Sequence, residues 1–214
     1  MNRFNLVLIA IFLGFSHYSL AHPHSWVNLK SEFTLDEQGR LTALTQHWEF
    51  DQYYSMMTIA DMISEHGDQQ KGLLILGKSM AKNLNRYNYF SELKVNNMLI
   101  KLPFPSSFKL ETKLSDEQDI LTFSMHFELP HPRPIKKKPV SFRVFDPTYY
   151  VDMRHYKASQ VIIHAQNGTE CSTTVELPDT SDELVEYANS LDKSQQDTQG
   201  LGNSFAEKVI IHCV

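Results

Sequence analysis

The sequence predicts an α+β protein, mainly antiparallel β-sheet with an inserted helical pair, one late helix and a single disulfide. Three observations lead there. Apolar residues alternate with a period of two over most of the chain after residue 25. The period lengthens to a helical one between Tyr53 and Tyr87. Only two cysteines occur in 214 residues, and both are late. The length suffices to bury a substantial core. A content of 42% hydrophobic and 21% charged residues excludes a disordered, collagen-like or coiled chain. A net charge of −5 argues against a protein that works by gripping nucleic-acid phosphates, and two cysteines cannot build a four-thiolate zinc knuckle. The unusual figure is the count of ten histidines.

The chain begins with Arg3, an apolar run from Phe4 to Phe15, and the small-x-small sequence Ser19-Leu20-Ala21. This is the layout of a secretory signal peptide, residues 1–21, cleaved after Ala21. The apolar run falls short of the ~20 residues that span a bilayer, and no later segment is long and apolar enough. Residues 22–214 are therefore expected to form a single exported α+β domain, with no transmembrane segment of its own after cleavage.

The first elements form a hairpin. Ser25, Val27, Leu29, Phe33 and Leu35 share one face of a strand, and Trp26, Asn28, Lys30 and Glu32 the other. Asp36-Glu37-Gln38-Gly39 makes the turn, and Leu41 to Asp51 returns with Leu44, Trp48 and Phe50 on one face. Tyr53, Met56, Met57, Ala60 and Ile63 then follow helical spacing up to Gly67, and Leu73, Leu76, Met80, Leu84 and Tyr87 mark a second helix. Met56 and Met57 read as core filler rather than soft copper ligands. Strands resume at Leu93 to Ile100, Phe108 to Leu114, Ile120 to Leu129 and Val140 to Phe145. His131-Pro132-Arg133-Pro134 with Lys136, Lys137 and Lys138 reads as a proline-stiffened basic loop. Asn167-Gly168, flanked by Gln160–Ala165 and Thr169–Val175, signals a β-hairpin. Thr180 and Glu183 form a capping box for a helix through Leu184, Ala188 and Leu191. A polar loop from Lys193 to Ser204 leads into a last strand, Phe205 to Val214. Cys171 and Cys213 in an exported protein pair as a disulfide.

Signal cleavage gives the histidines their interest. It makes His22 the first residue, followed by Pro23 and His24. A terminal amine with a pKa of about 7.7–8.0 is partly free to donate to a metal near neutral pH. With two imidazoles it gives three nitrogen donors within three residues. Pro23 has no N–H to surrender, so the square-planar amide site for Cu(II) or Ni(II) is blocked. Zinc fits better than copper or nickel, with the site completed from elsewhere in the chain. His47 is a further candidate, since alternation puts His47, Glu49 and Asp51 on one strand face. Asp146 reads as a turn residue that bonds its own loop. His126, His155, His164 and His212 carry no paired spacing, and His66 suits a helix end. No nucleotide loop, nucleophile elbow, HExxH or calcium loop is present, which leaves ligand binding ahead of catalysis.

Several of these segments together carry a resemblance. His22-Pro23-His24-Ser25-Trp26, Trp48-Glu49-Phe50-Asp51-Gln52-Tyr53-Tyr54-Ser55, Asp146-Pro147-Thr148-Tyr149-Tyr150 and the late Cys171 and Cys213 resemble a family of uncharacterised bacterial periplasmic proteins. That family is labelled as periplasmic components of ABC-type transport systems and includes ZevA-like zinc-binding proteins. The resemblance implies a non-enzymatic zinc-binding accessory of metal uptake that works with an inner-membrane permease resembling nickel/cobalt transporters. Carried over motif by motif, it makes His22, His24, Asp51 and Asp146 the candidate metal ligands. Two other readings of the chain are a copper enzyme using a terminal histidine clamp and a metal-independent protein-binding module.

Overall fold

A computed structural model describes residues 23–166, 168–191 and 200–214. The expected signal peptide, His22, Asn167 and residues 192–199, which take in residues 193–199 of the expected polar loop, lie outside the described residues. The expected α+β class and disulfide are found.

The strands form two sheets, and the first is built on β1 (Ser25–Leu35) and β2 (Arg40–Phe50), which pair antiparallel as the alternation requires. The first sheet also contains β5 (Ser107–Ser115), β6 (Gln118–Pro134), β8 (Val151–Arg154) and β9 (Val161–His164), in the order β5-β6-β2-β1-β8. The two short strands β8 and β9 lie parallel along the outer edge of β1, one at each end. The second sheet has the order β10-β11-β7-β3-β4. Its strands are β3 (Ser91–Val95), β4 (Met98–Ile100), β7 (Val140–Val144), β10 (Cys171–Glu176) and β11 (Lys208–Cys213). The inner faces meet: Phe33 of β1 packs edge-on to Phe142 of β7 at 5.3 Å, and Tyr89 lies 4.7 Å from Phe127. Residues of both sheets belong to one buried cluster. Each such aromatic or leucine side chain contributes about 1.5–3 kcal/mol by burial.

The helical pair is α1 (Gln52–His66) and α2 (Gln69–Leu84). Asp51 and Asp68 cap their N-termini, accepting from the backbone N–H groups of Tyr54 and Lys71. Gly67 ends α1 at φ 71°, its N–H donating to the carbonyl of Ile63. Glycines set the close contacts of α2. A Cβ on Gly72 would stand 2.8 Å from Met62, and one on Gly77 would stand 3.0 Å from the Leu110 Cβ. Later come α3 (Asp182–Ser190) and α4 (Leu201–Phe205), which bury Ala188, Leu191, Leu201 and Phe205 around Tyr149.

Six local expectations are corrected. Helix α1 has the expected period but the opposite phase. Ser55, Ile59 and Met62 face inward, and Tyr53, Met56, Met57 and Ile63 are exposed, so the methionine pair is not core. The serine is tolerated inside because its hydroxyl accepts the Leu121 N–H at 3.0 Å. Leu93–Ile100 is not one strand but the β3–β4 hairpin, turned by Asn96 and Asn97 at positive φ. His131–Pro134 extends β6 instead of forming a loop, with Arg133 and Pro134 paired to Leu41 and Arg40. The segments around Asn167-Gly168 do not pair with each other, since β9 joins β1 in the first sheet and β10 joins β11 in the second. The late helix is capped by Ser181, which accepts from Leu184 N–H, not by Thr180. The last strand starts at Lys208, because Leu201–Phe205 is helical.

Candidate functional site

Three chain segments far apart in sequence meet at the N-terminal end of β1. The backbone N–H of His24 donates to the Tyr150 carbonyl at 2.9 Å, and the two rings lie 4.6 Å apart at 52°. Ser25 then pairs with Val151 as β1 and β8 run parallel. Asp51 ties the same strand to α1. One carboxylate oxygen accepts from the Ser25 hydroxyl at 2.7 Å and from the Trp26 N–H at 3.0 Å, and the other caps the helix through Tyr54. The Asp51 N–H returns a bond to the Trp26 carbonyl.

Asp146, buried, organises the third segment. Its carboxylate accepts from the backbone N–H groups of Thr148, Tyr150 and Val151 and from the Thr148 hydroxyl. This is the self-bonded turn that the sequence suggested. The wrap forces Tyr149 to φ 57°, a conformation held by its N–H bond to the Asp146 carbonyl and by stacking on Phe205 at 4.1 Å. Tyr150 is thereby aimed at His24. A carboxylate surrounded by chain donors would have to exchange those bonds for a cation. The geometry of Asp51 and Asp146 is that of residues which build the rim. The His24 imidazole lies there, half-buried, on a pinned backbone.

His47 is not part of this rim. It lies on the outer face of the first sheet, opposite Lys30, with Nδ1 2.8 Å from the Ser124 hydroxyl and Nε2 3.3 Å from Glu32. Glu32 also meets Lys30 at 2.6 Å and His164 at 2.7 Å. Burial pushes the Glu32 carboxyl up, but the bonds from Lys30 and His164, with the positive charge of Lys30 and His47, outweigh it and bring the pKa down to about 2. Burial holds the His47 imidazole below its ordinary value, against the pull of Glu32. Among the described residues no group of three or more His, Cys, Asp or Glu side chains is arranged to hold a metal ion.

One constellation escaped sequence reasoning. His155, just past β8, faces Glu207 through Nδ1, and its Nε2 lies 2.9 Å from the Ser31 hydroxyl. Glu207 also accepts the His155 backbone N–H at 2.8 Å. The order hydroxyl, imidazole, carboxylate is that of a hydrolase triad. Ser31 is only 1% exposed, however, so no substrate reaches its hydroxyl. The three residues instead pin the start of β11 in the second sheet to β1 in the first. No spacing signal links positions 31, 155 and 207. The cysteine expectation holds, as Cys171 and Cys213 are bonded and directly opposed across β10 and β11. A disulfide is the chemistry of an oxidising compartment. Among the described residues no helix is long and apolar enough to cross a membrane.

Comparison with known proteins agrees with the breadth of these motifs. Residues 7–213 match the family described as "Protein of unknown function (DUF1007)". A Haemophilus influenzae protein described as uncharacterized is 30% identical over 212 residues, which is 97% of each chain.

Proposed function

The chain belongs to the DUF1007 family, and we propose that it is a periplasmic metal-binding protein that captures zinc and delivers it to an inner-membrane permease. The observation that carries this reading is the convergence at the start of β1. The His24 backbone is bonded to Tyr150, its ring lies against Tyr150, and Asp51 and Asp146 hold the two flanking segments in place. That arrangement supports an imidazole held for binding at the place where export would create a new terminus. His22, by its amine and ring, and His24 are the proposed ligands, and zinc is the cargo. Asp51 and Asp146 serve as the frame, and His47 is not included. In this reading the protein binds and hands on the ion and catalyses no reaction. The permease would resemble nickel/cobalt transporters.

The test is calorimetric titration of zinc into protein that begins at His22. Saturable binding is expected, and His22→Ala/His24→Ala should remove it while thermal unfolding is unchanged. Tight binding that survives both substitutions would reject the site. A variant with an extra residue ahead of His22 separates the amine from the imidazoles, since binding should weaken without vanishing.

A further inference from the structure

A cavity of about 270 Å³ opens directly beneath the rim just described. Trp48 and Phe50 of β2, Met153 of β8, Phe90 and Met80 form its walls, with Tyr54 of α1 at the lip. Trp48 and Met153 are each only 3% exposed, so their far sides are packed and their positions fixed. The indole N–H of Trp48 is already given to Gln46 at 2.8 Å, and its ring is parallel to that of Phe90, 6.2 Å away. Polar atoms gather at one edge, where Ser79 and Asn83 stand one turn apart on the exposed side of α2, bonded to each other at only 3.4 Å. The Ser25 hydroxyl nearby is committed to Asp51.

We propose that this cavity is a binding site for a small amphiphile, an aromatic or branched aliphatic group bearing one hydroxyl or amino function. Apart from Ser79 and Asn83 at its edge the walls are mainly apolar, and apolar walls favour a hydrocarbon guest over water. The volume exceeds the ~150 Å³ that accommodates benzene and falls just under the ~300 Å³ of drug-sized sites, which selects a one- or two-ring molecule. The ligand's polar function belongs at Ser79 and Asn83, whose mutual bond is long enough to be exchanged. The site needs no metal, so it stands apart from the zinc reading.

The sequence contains two tryptophans, Trp26, which is 45% exposed, and Trp48. Trp26→Phe therefore leaves the cavity wall as the single indole reporter. Titration of that variant with 4-bromobenzyl alcohol in the presence of EDTA should give saturable quenching with a dissociation constant on the order of 0.1–1 mM. Ser79→Phe, added at the exposed mouth, should weaken binding about tenfold, the equivalent of about 1.4 kcal/mol. 4-Bromotoluene, which lacks the hydroxyl, should bind less tightly. A second readout uses methionine methyl resonances, since Met80 and Met153 should shift with ligand while the exposed Met56 and Met57 stay. Linear quenching equal to that of the urea-unfolded chain, indifference to Ser79→Phe in the folded variant, or shifts at Met56 and Met57 instead would each overturn the proposal.

Discussion

A few polar side chains do most of the organising, and each works through the number of donors it collects. Asp51 joins β1 to α1, Asp146 winds its own loop, and Glu207 holds His155 under β11. Asp146 was legible in sequence, because a turn aspartate bonds within five residues. The partner of Glu207, His155, lies 52 positions earlier, and Ser31, which bonds the other side of that imidazole, lies 124 positions before His155, beyond any local signal. Glu32 offers a pH test at this scale. Its folded pKa of about 2 lies below the ordinary 4.5, so its charged form stabilises the fold. That contribution is fully present above about pH 4.5 and is lost as pH falls through 2. The urea midpoint of the wild type should therefore fall more steeply over this window than that of Glu32→Gln. Parallel curves would show that the exposed partners are screened by solvent.

Periodicity at the level of elements identified most strands and both long helices, and its failures share a cause. A period says that a helix has two faces. It does not say which face is inward when a serine can be satisfied in the core, as Ser55 is by Leu121. Asn167-Gly168 likewise carries a turn signal, but the strands on either side of it find better partners in β1 and β11. The short α4 is a case where the element serves the site. A Cβ on Gly202 would lie 1.8 Å from the Asp146 carbonyl oxygen, and the Gly202 N–H donates to Pro147 at 3.1 Å. Gly202→Ala should displace this helix from the Asp146–Tyr150 loop and cost about 1–3 kcal/mol or more in urea unfolding. An unchanged midpoint would mean that the loop is not supported by α4.

At the scale of the whole molecule, the two sheets share one core, and the disulfide closes a separation of 42 residues at the end of the chain. Loop-closure entropy for that length predicts that Cys171→Ala/Cys213→Ala lowers stability by about 4 kcal/mol, read from denaturant midpoints. A loss below about 1 kcal/mol would show that the β10–β11 pairing already holds the segment. The sequence by itself determined the class, the first hairpin, the helical pair, the cysteine pair and the motifs that matter, because alternation, capping and composition act over a few residues. Only the tertiary structure decided that the His24, Asp51 and Asp146–Tyr150 segments converge, that His47 stands apart from them, and that Ser31, His155 and Glu207 meet in the interior. Those outcomes depend on strand order and register, and strands compete for partners across the whole chain.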